Sequence, residues 1–167
     1  MSAPYIGGTD RWGVRVVEAV GHELRMGEIA VRHEVFVLEQ GVPLVLEIDA
    51  RDMDPTVRHL VALDPGGRVV GTVRIIPAPG VYHLGRLAVS RTARGHHTGS
   101  ALVEAVHELV SRETPAGARA RVELDAQVQA LGFYERAGYA PLDGTVFLDA
   151  GIEHVTMARA VRGRAPH

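Results

Sequence analysis

Apolar positions along the chain switch between two periods, and the switches mark its elements. Residues 1–10 are polar and glycine-containing and read as a loose end, after which Trp12 to Val17 alternates as a first strand. From Glu23 to Leu38 the period lengthens: Leu24, Ile29, Val31, Val35 and Leu38 form an imperfect helical stripe, ended by Gly41 and Pro43. The acidic segment from Glu47 to Pro55 reads as a loop with a short helical turn. His59 to Leu63 and Arg68 to Ile76 read as strands around the turn Asp64-Pro65-Gly66-Gly67, a hairpin closed by Pro77 and Pro79. Tyr82 to Val89 is a further strand, running through a basic loop into a helix at Ala101 to Val110. Beyond Pro115-Ala116-Gly117, a strand at Ala120 to Ala126 leads to a second helix at Gln127 to Ala137, with Gly138 as its natural cap. The tail holds strands at Val146 to Leu148 and Ile152 to Ala160, joined at Asp149-Ala150-Gly151, and a loose end at 161–167. The pattern predicts one α/β domain over 1–167, with a central mixed sheet of six or seven strands flanked by helices.

Composition narrows the function classes. A chain of 167 residues can bury a proper core, and its 46% hydrophobic and 23% charged residues are those of an ordinary globular protein. A net charge of −2 gives no general basic face, so nucleic acid is not expected as a partner. Cysteine is absent, which excludes disulfides, thiolate metal sites and cysteine nucleophiles and fits a reducing compartment. With no membrane-length apolar run and no signal-peptide pattern, the expectation is a cytoplasmic protein with no membrane partner. All 18 basic residues are arginine, which rules out a lysine Schiff base and the lysine-bearing phosphate loop of nucleotide triphosphatases. Asparagine is missing too, so any role usually given to it falls to another residue.

The most informative stretch is Leu87-Ala88-Val89-Ser90-Arg91-Thr92-Ala93-Arg94-Gly95-His96-His97-Thr98-Gly99-Ser100, a branched apolar strand running into a basic, glycine-containing loop at a helix start. Unpaired N–H groups at a helix N-terminus, the macrodipole and a neighbouring arginine together make an anion site, suited to phosphate or pyrophosphate. The plain alternative is a helix start capped by Thr98 or Ser100. The paired His96-His97 does not make a metal site, because adjacent side chains diverge and no third ligand follows at useful spacing; no metal is expected.

This strand–loop–helix, followed by Phe133-Tyr134-Glu135-Arg136-Ala137-Gly138-Tyr139, resembles the GNAT superfamily of acyl-CoA-dependent N-acyltransferases. The family's cofactor loop, Arg/Gln-x-x-Gly-x-Gly/Ala, is similar to Arg94-Gly95-His96-His97-Thr98-Gly99, with His97 in place of the first glycine. Arg32 to Gln40, Glu47-Ile48-Asp49, Asp125-Ala126-Gln127 and Gly151-Ile152-Glu153-His154 resemble the narrower ElaA-like bacterial branch. The match covers roughly residues 23–160. It implies a GNAT fold, mostly antiparallel and splayed between its fourth and fifth strands, with acetyl-CoA as co-substrate and a primary amine as acceptor. Family habit also allows a homodimer.

The resemblance assigns roles residue by residue. Arg94 would meet the pyrophosphate, with Gly95, His96, His97, Thr98, Gly99 and Ser100 adding backbone or hydroxyl contacts. Leu87, Ala88 and Val89 would pair with the pantetheine arm where their strand diverges from Val122 to Asp125, and Gln127 falls near that arm. Tyr134 aligns with the tyrosine that protonates the departing thiolate, a task for a weakly acidic hydroxyl. Many relatives carry a basic glutamate on the fourth strand, but here the local sequence is His83-Leu84-Gly85-Arg86. Candidate bases are therefore Asp125, His83, Glu123, or a water relayed by Glu39. Phe36, Glu39, Gln40, Arg74 and Arg86 are expected on the acceptor side, where the arginines could bind an acidic group. Arg32, Phe36, Glu47, Asp49, Asp52 and Arg74 are also similar in type and order to acyl-homoserine lactone synthases, which use S-adenosylmethionine on the same fold. A non-catalytic acyl-CoA-binding module is a third reading.

Overall fold

The computed structural model describes residues 5–7 and 12–166. Its alternating segments build one eight-stranded sheet in the order β1-β2-β3-β4-β5-β6-β8-β7. The strands are β1 (Tyr5–Gly7), β2 (Arg15–Glu18), β3 (Arg58–Leu63), β4 (Val69–Ala78), β5 (Val81–Val89), β6 (Arg119–Gln127), β7 (Ala140–Asp149) and β8 (Ile152–Arg162). Neighbours are antiparallel except β5 and β6, which are parallel and pair only from Val81–Leu84 to Arg121–Leu124. Past Leu84 and Leu124 the two strands separate, the expected splay. The strand beyond the predicted six or seven is Tyr5–Gly7, within the segment read as a loose end.

Helix α1 (His22–Arg32) continues as a seven-residue π-helix, His33–Glu39, and α2 (Leu44–Glu47) is a single turn. Helix α3 (Thr98–Glu113) follows β5, and α4 (Leu131–Arg136) follows β6. The second predicted helix is thus shorter than Gln127 to Ala137, because Gln127 ends β6 and Val128–Ala130 forms a 3-10 turn. β7 begins at Ala140 rather than Val146, with a break in register between Pro141 and Val146 that the sequence pattern did not signal.

Period-2 alternation sorts each strand between two faces. Val16, Leu60, Ala62, Val73 and Ile75 pack with Leu102, Val106 and Val110 of α3, whereas Val17 and Val61 pack with Leu24. On that second face Val31 and Val35 meet Ala88. Helix α3 seats directly on β4, since a Cβ at Gly71 would lie 2.9 Å from Leu102 Cδ1. Each fully buried aliphatic of this layer contributes about 1.5–3 kcal/mol of transfer free energy. The carboxyl end is held rather than loose: Ala165 N donates to Thr114 O at 2.9 Å, and Arg164 N donates to Ser111 O at 2.9 Å.

Under α1 lies a buried ionic network. Arg32 donates to Glu47 Oε1 at 2.5 Å, to Asp52 at 2.7 Å and to Glu28 at 3.3 Å, and Arg74 donates to Asp49 at 2.8 Å and Asp52 at 3.1 Å. Burial alone would raise the Asp52 carboxyl, but the hydrogen bonds and charge of Arg32 hold it well below the usual carboxylate range. The network ties α1 to the segment 44–53, where the 3-10 turn at Ala50–Met53 is the short helical turn expected in the acidic loop.

Candidate active site

The splay between β5 and β6 has a local cause. Thr72 pairs with Ala88 and Arg74 with Gly85, so β5 carries one residue more than β4 across the same span. Arg86 takes φ 52°, a left-handed conformation costly for a residue with a Cβ. An extra residue of this kind bends its strand, and here the bend carries β5 away from β6. The gap is a cleft of about 460 Å³ whose walls come from β5, β6, the hairpin between β7 and β8, α4 and the π-helical turn.

At the α3 end, the loop after β5 tightens through a 3-10 turn at Arg91–Ala93, and Ala101 N is bonded to His97 O. The N–H groups of Thr98, Gly99 and Ser100 precede that bond and have no carbonyl within the helix to meet. His97, standing where the resembled loop motif has glycine, adopts φ 61°, ψ 18°, the left-handed region that favours glycine. Its ring stacks on Trp12 at 5.7 Å, a contact that offsets part of the strain. Gly99 lines the cleft under Phe133, whose ring would lie 3.4 Å from a Cβ there.

Tyr134 lines the same cleft, held edge-on by Phe133 and Tyr139 with ring centroids 5.0 and 5.9 Å away. Burial pushes its phenol above the ordinary range, so it stays protonated, and among the described residues its hydroxyl has no hydrogen-bond partner. Asp125, the first residue of β6 beyond the parallel pairing, lines the cleft and accepts a hydrogen bond from Thr156 at 2.8 Å. Gln127 donates to Gln40 at 2.9 Å, joining β6 to the end of the π-helix. Leu87, Val89, Arg94 and Phe36 also line the cleft.

Other predicted residues lie elsewhere. Ala88 alternates to the opposite face against Val31 and Val35, leaving only its backbone for the cleft. His83 sits in the paired part of β5, half exposed and 3.8 Å from Glu123; its neighbour Leu84 takes the cleft side, so neither His83 nor Glu123 lines the cleft. Thr98 is buried and its hydroxyl turns back to Ala93 O at 3.4 Å, while Gly95, His96, His97 and Ser100 flank the helix start outside the cleft wall. Arg74 is 4% exposed and spent on Asp49 and Asp52, so it belongs to the ionic network rather than the acceptor side. Arg86 does line the cleft, but donates to Glu47 O and Leu46 O at 3.2 Å, bracing α2 over β5. Arg94 binds Val89 O at 3.0 Å and Glu39 at 2.7 Å, so Glu39 is a salt-bridge partner of the loop arginine.

Glu28, Asp52 and His59 bring three ligand-type atoms within 4.8 Å of one another. Both Asp52 oxygens and Glu28 Oε1 already accept from Arg32, and a cation there would face that guanidinium, so the cluster carries no metal assignment. Residue-level reading missed the cleft role of Leu46, Phe133, Ile152 and His154. Only His154 had a signal, the Gly151-Ile152-Glu153-His154 segment, and nothing in its spacing placed it opposite Gln127.

A parallel pair that opens into a cleft beside a free helix N-terminus is an arrangement that can be compared with known proteins. Residues 32–161 match the model of the acetyltransferase (GNAT) domain family. The chain belongs to the GNAT acetyltransferase family. Among GNAT relatives, the uncharacterized N-acetyltransferase YjcF of Bacillus subtilis is 34% identical over 146 residues, spanning 87% of this chain and 99% of its own length. The crystal structure of Escherichia coli ElaA superimposes with TM-score 0.74 at 26% identity, covering 87% of this chain and 97% of that one. An acyl-CoA N-acyltransferase from Pseudomonas aeruginosa gives TM-score 0.73 at 26% identity, covering 87% and 98%. Among the described residues no helix is long and apolar enough to cross a membrane.

Proposed function

We propose that this chain is an N-acetyltransferase that moves an acetyl group from acetyl-CoA to a primary amine by direct attack, both substrates being bound together. The observation that carries the reading is the cleft at the splay of β5 and β6, with the unpartnered Tyr134 hydroxyl inside it and the α3 N-terminus at its end. The residues fit acetyl-CoA. The free N–H groups of Thr98, Gly99 and Ser100 suit a pyrophosphate, and Arg94 lines the same cleft as Gly99, its guanidinium on Glu39 until a ligand competes for it. Leu87 and Val89, unpaired with β6, offer backbone groups to an extended amide-bearing arm, the Val89 carbonyl being held by Arg94.

Within that cleft each residue has a task. The β5 and β6 edges hold the thioester beside the amine, converting a bimolecular encounter into an oriented one. Tyr134 gives its proton to sulfur as the C–S bond breaks; a phenol kept neutral by burial does so without first ionising. Gln40 and Gln127 close the mouth between the π-helix and β6, and Phe36 forms the wall on that side. The likeness of Arg32, Asp49, Asp52 and Arg74 to lactone synthases has a structural explanation, since these side chains are occupied with one another.

The test is direct. Micromolar acetyl-CoA raises the melting temperature, and an amine panel releases free thiol. Tyr134→Phe lowers kcat by about 10²-fold with acetyl-CoA binding intact. Absence of a thermal shift with any acyl-CoA would remove the proposal, and tight binding without turnover in both forms would support a binding module instead.

A further inference from the structure

The assigned chemistry leaves one proton without a receiver. An ammonium acceptor loses two protons on becoming an amide: one replaces the proton Tyr134 hands to sulfur, and the other must leave the site. His83 and Glu123 do not line the cleft. Asp125 does, with one oxygen accepting from Thr156, and the imidazole among the cleft-lining side chains is that of His154.

His154 meets the geometric demands. It lies on β8 opposite Gln127 of β6 and Phe147 of β7, so the three side chains share one face of the sheet. Thr156 and Asp125, two residues further along the same strands, extend that face as a polar row. The imidazole is 8% exposed, stacks on Phe147 at 5.8 Å and lines the cleft. Its Nδ1 lies 2.7 Å from Ile152 O. A carbonyl only accepts, so Nδ1 carries the hydrogen, and the neutral ring presents its lone pair at Nε2. Nε2 has no partner among the described residues and is not sealed in, unlike both nitrogens of His59. A buried, cleft-lining ring with its tautomer fixed from behind and its second nitrogen unpartnered among the described residues is the arrangement a general base requires.

We propose that His154 is the base of the transfer reaction, a proposal that rests on the N-acetyltransferase reading. Nε2 takes one proton from the acceptor ammonium, directly or through one water, and later yields it to solvent. The freed nitrogen lone pair forms the C–N bond to the thioester carbonyl carbon. The C–S bond breaks, Tyr134 protonates the sulfur, and the second proton shed by nitrogen restores Tyr134. Charged and titratable groups facing the same cleft are Asp125 on β6, Asp149 at the end of β7, Glu47 at the end of α2, Tyr134 on α4, and Arg86 and Arg94. Asp125 and Asp149 have no cationic partner among the described residues and supply a negative field for an incoming ammonium.

His154→Asn places an amide N–H where Nδ1 donates and removes the base. The wild type is expected to show an acidic limb in kcat/KM, and the variant to lose that limb and about 10²-fold or more of kcat/KM near pH 7. Its acetyl-CoA thermal shift is retained. An active wild type whose His154→Asn form keeps the same kcat/KM and pH profile would overturn the proposal and leave the N-acetyltransferase reading standing. A wild type with no acyl-CoA binding and no thiol release would overturn both. Independently of any variant, ¹⁵N-histidine NMR of the wild type should show the neutral His154 ring as the Nδ1–H tautomer. An Nε2–H tautomer would refute the assignment even if the variant fails to fold.

Discussion

His107 couples the stability of this fold to pH. It sits on α3 between two partners: Arg159 Nη1 is 3.0 Å from Nδ1, and Tyr139 Oη is 2.7 Å from Nε2. Arginine only donates, so Nδ1 must be the acceptor, and Nε2–H then donates to the phenol. The native site therefore requires a neutral ring. Burial first, and the Arg159 charge second, lower its pKa from 6.5 to about 4. An unfolded chain takes up a proton below 6.5 that the native chain refuses until about 4. The stability His107 contributes is complete above the unfolded value and is lost as pH falls toward the folded one. Over the whole window this difference amounts to about 3 kcal/mol, of which about 2 kcal/mol is lost by pH 5. His107→Gln keeps a donor and an acceptor but does not titrate. Urea unfolding of both forms at pH 7.5 and pH 5.0 is the assay. The wild type should lose about 2 kcal/mol more than the variant across that interval. Equal losses would refute the tautomer argument and the depressed pKa together. Tyr139 also packs edge-on against Tyr134, which lines the cleft.

Three further outcomes follow from particular contacts. Glu39→Gln frees Arg94 from a partly exposed ion pair worth about 0.2–1 kcal/mol, so acetyl-CoA should bind up to about 5-fold tighter by calorimetry; weaker binding would mean Glu39 positions the arginine instead. At His97, both the Gly and Ala variants lose the stack on Trp12, but only Ala retains the left-handed strain. His97→Gly should therefore exceed His97→Ala in stability by about 1 kcal/mol, and equal thermal denaturation would discount the strain. Arg32→Met removes the cation shared by Glu28, Glu47 and Asp52, leaving Asp52 its bond to Arg74 but stripping the buried Glu28 and Glu47 of their strongest partner. Chemical denaturation should show a loss of about 3–5 kcal/mol, and a neutral result would show that the carboxylates protonate or hydrate at little cost.

Much of the architecture is written locally. Alternation in His59 to Leu63, Tyr82 to Val89 and Ile152 to Ala160, with turns at Asp64 to Gly67 and Asp149 to Gly151, specified strands and hairpins close to those observed. The loop from Arg94 to Gly99, with the segment around Tyr134, was enough to indicate the family, because each uses neighbouring residues to make one local structure. Where elements meet is different. Whether Arg74 faces a substrate or Asp52 depends on how the segment 44–53 folds over β4, and no period in the sequence encodes that packing. The same holds for His83 and His154, two strand histidines that look alike in sequence. One is turned from the cleft by pairing that persists through Leu84; the other faces it because β8 meets β6 in a register that sets His154 opposite Gln127. Sequence alone determined most of the elements and the family, since hydrophobic periodicity and turn chemistry act within a few residues. Tertiary structure decided which polar side chains share the cleft, since strand register and one bulged residue at Arg86 set the direction of every side chain around it.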